Sequence, residues 1–93
     1  MDSCPVVWDA TNVRHLGRDH PERGIARGEV SEVSNDPQRR ETAEIRRQVS
    51  YHTVIGSTAK GRPLVVVWID HAAGRFPVHA RPAGRLAARR YYR

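Results

Sequence analysis

The chain has 93 residues, of which 39% are hydrophobic, so it can bury one modest core, and we expect a single domain over residues 1–93. Lysine and arginine number 16 against 10 acidic residues, and 15 of the 16 are Arg; the formal charge of +6 favours a polyanionic partner over a neutral metabolite. The single cysteine, Cys4, excludes an intramolecular disulfide, and the longest apolar run, residues 64–69, is far shorter than the roughly 18 residues that cross a bilayer. We therefore expect a cytoplasmic protein with no membrane contact.

The first third of the chain is expected to be mainly helical. Residues 5–8 form a short apolar stretch before Asp9, which is a favourable N-cap residue, so we expect a short strand and then a helix over residues 10–19. Apolar side chains recur at i, i+4 and i+7 over residues 26–33, which predicts a second helix. That helix should end at the turn signal of residues 35–37.

The middle of the chain predicts a β-hairpin. Residues 38–48 are charged and mixed in sign, and we interpret them as a mobile connection. Residues 49–55 alternate as a half-buried strand does, and residues 64–69 are apolar on both faces, as in a central strand. The turn-forming residues 56–61 should connect the two strands.

A third antiparallel strand is expected near residues 75–81. Simple alternation predicts one face with Phe76, Val78 and Ala80 and the other with Arg75, Pro77, His79 and Arg81. Because proline cannot donate to a strand ladder, Pro77 belongs at an edge or a bulge.

The chain should end in a basic helix. Pro82 suits the first turn of a helix that continues to residue 93, and its packing side would comprise Ala83, Leu86 and Ala87. The predicted class is α+β: a short N-terminal strand, two helices, an antiparallel three-stranded sheet and a C-terminal helix.

His79 and Arg81 are the strongest candidates for chemistry. Two-residue spacing on a strand sets them on one face about 7 Å apart, so both can reach a single dinucleotide step. Cleavage of RNA without a metal needs a group that moves protons near neutral pH and a cation that stabilises the phosphate, and these are the roles of histidine and arginine. The alternative is an exposed edge with solvated charges.

Other residue types give weaker signals. The spacing of His15, His20, His52 and His71 does not favour a metal site, and we expect no metal or cofactor. His15 follows Asn12 by three residues on the same helix face, which is typical of a structural hydrogen-bonding unit. The chain has neither a G-x-S-x-G nucleophile motif nor a phosphate-binding glycine loop.

Several sequence motifs together resemble one known family. In chain order they are Val7-Trp8-Asp9, Asn12, His15 and Gly24-Ile25; Glu29-Val30-x-Glu32-Val33 and Asp36-Pro37; Ile55-Gly56-x-Thr58-x-x-Gly61-Arg62-x-Leu64-x-Val66-Val67; Ala80-Arg81-Pro82-Ala83; and Arg89-Arg90-Tyr91. Over nearly the whole chain they resemble the BrnT family of toxins from bacterial type II toxin–antitoxin systems. The resemblance implies a RelE-like fold, metal-independent endoribonuclease activity that inhibits translation, and neutralisation by a cognate, BrnA-like antitoxin in a hetero-oligomer.

The resemblance also assigns roles to individual residues. Arg62 and Arg81 match arginines of the family and would contact the scissile phosphate, and Tyr91 matches the tyrosine of its last helix. In the leading hypothesis, His79, His15 or Tyr91 would transfer protons during RNA cleavage. The RNA contacts expected beyond this catalytic set are Arg14, Arg85, Arg89 and Tyr92. The chain departs from the family pattern at residues 20–23, which look like an insertion, at Pro77, and at His79, where Ser or Thr is usual.

Two further function classes remain open. A basic module that binds an antitoxin or RNA without catalysis would bind less tightly as salt rises and would leave RNA length unchanged. A transcription regulator ranks last, because neither helix pair has the spacing of a helix-turn-helix. In the toxin hypothesis, the antitoxin would cover the basic groove or add a strand to the exposed sheet edge.

Overall fold

A computed structural model describes residues 5–18 and 23–91 of the chain. These residues adopt an α+β fold, as expected, in which helical segments precede a four-stranded sheet and one helix follows it. The helices are α1 (Ala10–Val13), which continues as a π-helical segment (Arg14–Arg18), α2 (Arg27–Ser34) and α3 (Arg85–Tyr91). The strands are β1 (Arg40–Arg46), β2 (Val49–Ser57), β3 (Pro63–His71) and β4 (Gly74–Pro82).

The sheet has the order β1-β2-β3-β4, and each strand is antiparallel to the next. β3 therefore lies between two neighbours, as its continuous apolar run predicts. Leu64, Val65 and Val66 are almost completely buried there. Trp68 of the same strand is only 6% exposed, as expected for a residue of a central strand.

The prediction of a mobile connection over residues 38–48 is wrong, because residues 40–46 form β1 and make the sheet four-stranded instead of three-stranded. Arg47 and Gln48 both have positive φ (50° and 66°), the backbone of a two-residue hairpin turn. Every residue of β1 is exposed, so burial imposes no apolar alternation on its sequence. The usual turn signal, Asn-Gly or Asp-Gly, is also missing.

The N-terminal segment runs beside the start of β4. Val6 forms a single parallel bridge with Arg75, so the predicted strand at residues 5–8 is reduced to one pair. The Val7 N–H donates to the Arg75 carbonyl at 2.7 Å, and the Arg75 N–H donates to the Pro5 carbonyl at 2.8 Å.

Both predicted N-terminal helices form. Asp9 is the N-cap of α1, as expected, and its carboxylate accepts hydrogen bonds from the Thr11 and Asn12 N–H groups at 2.8 and 3.0 Å. The end of the predicted first helix, at residue 19, lies outside the described residues. α2 buries Val30 and Val33, the last two members of its predicted apolar stripe.

One face of the sheet packs against the π-helical segment and α2 and is called here the covered face. Its core cluster comprises Leu16, Val30, Val33, Val54, Leu64, Val66, Trp68 and Ala80. Gly56 of β2 permits the close approach of α2, because a Cβ atom at this position would lie 2.8 Å from the Val33 carbonyl oxygen. The opposite face is called the outer face.

The predicted face assignment for β4 is wrong in its first half. The register shifts between Val67 and Trp68 of β3, so that His79 pairs with Val67, Pro77 pairs with Trp68, and Val78 is an extra, bulged residue. Arg75 and Pro77 consequently share the covered face with Ala80. Phe76 and Val78 share the outer face with His79 and Arg81. The expectation of an edge or a bulge at Pro77 is confirmed, since β4 is an edge strand and the bulge adjoins Pro77.

The C-terminal helix begins later than predicted. Pro82 is the last residue of β4, and α3 begins at Arg85. Leu86, a predicted packing residue, is 73% exposed, whereas Tyr91 is 9% exposed and anchors the end of the helix. The helix contacts β2 and β3.

Candidate functional site

The outer face is arranged in rows of side chains that cross all four strands. The pairing register gives one row of Glu44, Tyr51, Ile69 and Phe76, a second of Thr42, Thr53, Val67 and His79, and a third of Arg40, Ile55, Val65 and Arg81. Apart from the buried Val65, these side chains are half-buried or exposed. The outer face is thus accessible along the rows of Glu44 and Thr42 and, in the third row, at Arg40 and Arg81.

His79 and Arg81 lie next to each other on this face, as predicted. The bulge at Val78 turns His79 outward, and Arg81 follows on the same side at the two-residue spacing of about 7 Å. His79 is half-buried and Arg81 is exposed. The guanidinium of Arg81 has a long contact of 3.5 Å with the Pro82 carbonyl oxygen, a weak bond that leaves it free to reorient.

Charge is unevenly distributed between the two faces of the sheet. Of the three acidic residues in the strands, only Glu44 lies on the outer face, and its carboxylate is 3.1 Å from Arg46. The other two, Glu41 and Asp70, lie on the covered face beside His52. The outer face also carries Arg40, Arg46 and Arg81, so its fixed charge is predominantly positive.

Arg46 and Tyr51 add a second feature to the outer face. The guanidinium carbon of Arg46 lies 4.5 Å from the centroid of the Tyr51 ring, a cation–π arrangement that holds both groups at the surface. Phe76 is the β4 member of the same row, and its ring stacks on the ring of His71 with 5.9 Å between the centroids. Aromatic rings and guanidinium planes are the groups on which unpaired bases stack.

Arg62 does not join His79 and Arg81. Its guanidinium donates to the Gly24 and Arg23 carbonyl oxygens at 2.8 and 2.5 Å, and it lies 3.6 Å from the Glu29 carboxylate. These contacts are on the side of the sheet that α2 covers. The structure therefore does not bring the two predicted phosphate ligands, Arg62 and Arg81, together on one face.

Tyr91 is engaged in an internal contact. Its hydroxyl donates to the carboxylate of Asp36 at 2.5 Å, and the same carboxylate accepts hydrogen bonds from the Ser57 and Gln38 N–H groups at 2.8 and 2.9 Å. Burial by itself raises the pKa of Asp36, but the bonds from Tyr91, Ser57 and Gln38, with the charge of Arg39, hold that pKa below its ordinary value of 3.8. Asp36 therefore joins the end of α2, β2 and α3.

The remaining predicted site residues are spread around the fold. Arg14 is exposed and His15 half-buried on the π-helical segment, which packs against β4. Arg85 and Arg89 are exposed one turn apart on α3. Tyr92 and His20 lie outside the described residues.

Asn12 is a buried residue whose side chain joins three parts of the backbone. It is 2% exposed, and its amide donates to the Val7 and Pro77 carbonyl oxygens at 3.0 and 3.2 Å. Its side-chain oxygen accepts from the Asp9 N–H at 2.9 Å. These bonds attach α1 to the bulged part of β4, so Asn12 supports the backbone that presents His79.

Two polar groups of the covered face were not anticipated from the sequence. The His52 ring stacks on Trp68 at 3.9 Å between centroids, with Glu41 and Asp70 at 3.7 and 3.4 Å from its two nitrogens. The Arg75 guanidinium lies 4.9 Å from the Trp68 ring centroid and donates to the Ser34 carbonyl. Strand alternation alone would place His52 on the covered face. It places Arg75 on the wrong face, because it does not account for the bulge.

Within residues 5–18 and 23–91, no group of three His, Cys, Asp or Glu side chains is arranged to hold a metal ion. No helix in the same residues is long and apolar enough to cross a membrane. No protein-family model, curated protein or solved structure matches this chain.

Proposed function

We propose that this protein is an RNA endonuclease whose active surface is the outer face of the sheet, with His79 and Arg81 as catalytic residues. The observation that carries the proposal is the adjacency of a histidine and an exposed arginine on a face whose single strand carboxylate, Glu44, is already paired with Arg46. A phosphate is attracted to such a surface, because no acidic residue of these strands lies in the same row as Arg81 to compete for its guanidinium.

The proposed reaction is an internal displacement at phosphorus. The RNA 2′-oxygen forms a bond to phosphorus while its proton passes to the neutral imidazole of His79. Arg81 stabilises the charge that develops on the phosphoryl oxygens. The bond from phosphorus to the 5′-oxygen breaks, and this oxygen takes a proton from water at the exposed face. The predicted donor His15 belongs to the π-helical segment, which packs on the covered face. The products are a 2′,3′-cyclic phosphate and a 5′-hydroxyl.

Biologically, this activity fits a toxin of the type suggested by the sequence, one that inhibits translation and is neutralised by an antitoxin. A neutralising protein would have to cover the outer face, and its binding surface would be acidic to complement Arg40, Arg46 and Arg81. This part of the proposal rests on the family resemblance and on the charge of the face.

The proposal is tested by cleavage rates of His79 and Arg81 variants on total RNA. We expect Arg81→Ala to lower the rate by about 10²–10³-fold, as loss of a transition-state donor does, and His79→Gln by about 10²–10⁴-fold, as loss of a general base does. Arg27→Ala removes the same charge from an exposed position on α2 and should cleave normally. Normal cleavage by Arg81→Ala would remove Arg81 from the active surface.

A second candidate function is a binding module that lacks catalysis. It is favoured by the contacts of Arg62 and Tyr91, because both are engaged by groups of the protein itself. This reading predicts RNA binding that weakens steeply as salt rises, with no shortening of the RNA by the wild-type protein.

A further inference from the structure

The outer edge of β1 offers backbone groups for pairing with another strand. β1 ends the strand order, so among the described residues no strand lies beyond it. All seven of its residues are exposed. An edge of this length, seven residues, can template the addition of a strand from another chain.

The hairpin turn determines which backbone groups point outward. The two-residue turn at Arg47 and Gln48 makes Arg46 and Val49 a hydrogen-bonded pair. Hydrogen-bonded and non-bonded pairs alternate in an antiparallel ladder. The N–H and C=O groups of Glu41, Ala43 and Ile45 therefore point away from β2.

We propose that two copies of this chain associate through antiparallel pairing of their β1 strands, with Thr42 of one copy opposite Thr42 of the other. In this register, Glu41 of each copy faces Ala43 of the other, so outward-pointing backbone groups meet outward-pointing groups. On the outer face, Arg40 of each copy lies opposite Glu44 of the other. By symmetry, two oppositely charged pairs form.

The charges of directly facing residues favour this register over the neighbouring registers. A pairing centred on Ala43 would also match the backbone groups, but it would put Arg40 opposite Arg46 twice. Pairings centred on Glu41 or Glu44 would place two carboxylates of the same type face to face. A pairing centred on Ile45 would set Glu44 opposite Arg46, but only residues 44–46 of the two β1 strands would overlap. Among the pairings that match the backbone groups over five or more residues, only the one centred on Thr42 puts opposite charges at directly facing positions, where like charges are destabilising.

The pairing gives a continuous eight-stranded sheet with a two-fold axis perpendicular to it at Thr42. Both outer faces then lie on the same side. The two His79 positions are about seven strand spacings apart, roughly 34 Å along the sheet. The inference depends on β1 and stands independently of the proposed ribonuclease activity.

The experiment is a mass measurement in solution by analytical ultracentrifugation, on the full chain at micromolar to millimolar concentrations. We expect the wild type to reach twice its monomer mass of 10.5 kDa. Arg40→Glu and Glu44→Arg each create two like-charge pairs, so each variant should associate roughly tenfold or more weakly. Circular dichroism and thermal unfolding establish that each variant is folded.

An equimolar mixture of the two single variants provides the decisive control. In a mixed dimer, the carboxylate introduced at position 40 of one copy faces the guanidinium introduced at position 44 of the other, and the unchanged Glu44 faces the unchanged Arg40. The mixture should therefore dimerise more tightly than either variant does alone. The double variant, with both substitutions in one chain, should dimerise like the wild type. A monomeric wild type at millimolar concentration, or single variants that dimerise as well as the wild type, would overturn the proposal.

Discussion

Asp36 shows how one carboxylate can join three separate parts of a small chain. It accepts hydrogen bonds from the Tyr91 hydroxyl and from the Ser57 and Gln38 N–H groups. The sequence indicated only a turn at this position, because nothing in the local pattern reveals that Tyr91, 55 residues away, ends beside it. The contact gives Tyr91 a role in stability beside the catalytic role that the sequence predicts for it.

We expect Tyr91→Phe to lower the free energy of unfolding by about 1–2 kcal/mol at pH 7, because it removes a hydrogen bond to a charged group. The pKa of Asp36 is lowered on folding, so its ionised form stabilises the fold above its ordinary value of 3.8, and that contribution is lost as the pH falls through the lowered pKa. The difference between Tyr91→Phe and the wild type should therefore shrink in acid. Urea unfolding at a series of pH values measures it.

The same variant separates a structural from a catalytic tyrosine. If Tyr91 only anchors α3, Tyr91→Phe should cleave RNA at the wild-type rate below its unfolding temperature. A loss of about 10²-fold or more in rate, with the fold intact, would return Tyr91 to the set of proton donors.

At the scale of elements, the contact between α2 and β2 depends on Gly56. A Cβ atom there would lie 2.8 Å from the Val33 carbonyl oxygen and 3.1 Å from a Val33 methyl carbon, so a side chain would force α2 away from the sheet. Gly28, on α2 itself, has open space where its Cβ would be. The two glycines therefore offer a matched pair of substitutions.

Gly56→Ala should destabilise the protein by about 1–3 kcal/mol, the usual effect of overfilling a packed contact. Gly28→Ala should stabilise it by roughly 0.5–1 kcal/mol, since alanine favours a helix interior more than glycine does. Chemical denaturation of both variants beside the wild type measures the two effects. Equal effects of the two substitutions would contradict the packing of α2 on β2.

The elements differ in how well the sequence predicts them, and the reason is burial. β3 and α2 bury apolar side chains at regular spacing, so their patterns are visible in the sequence. β1 buries none, and its turn residues Arg47 and Gln48 adopt positive φ without the usual glycine or asparagine. Its pairing with β2 depends on the tertiary structure and leaves no pattern in the local sequence.

The candidate site was predictable in part. The two-residue alternation of a strand predicts His79 and Arg81 on one face. The bulge does not separate them, because both residues follow Val78. The bulge reverses the faces of the residues before it, so Arg75 becomes a buried partner of Trp68 and Ser34. The direction of the Arg62 side chain depends on the loop at Arg23 and Gly24, which strand alternation does not describe.

At the scale of the whole molecule, the fold distributes the formal charge of +6 unevenly over the two faces of the sheet. The sheet separates Glu41 and Asp70 on the covered face from Arg40 and Arg81 on the outer face. In the proposed function, RNA meets the molecule through the outer face. The proposed pairing through β1 would double this surface on one side.

The most direct test of the central claim is the chemistry of RNA ends after incubation of the purified protein with total RNA in excess EDTA. Internal cleavage by the 2′-oxygen predicts fragments with 2′,3′-cyclic phosphates and 5′-hydroxyls from the wild type and from Arg27→Ala, and intact RNA from Arg81→Ala. Intact RNA with the wild-type protein, or fragments of the same yield from Arg81→Ala, would contradict a ribonuclease on the outer face.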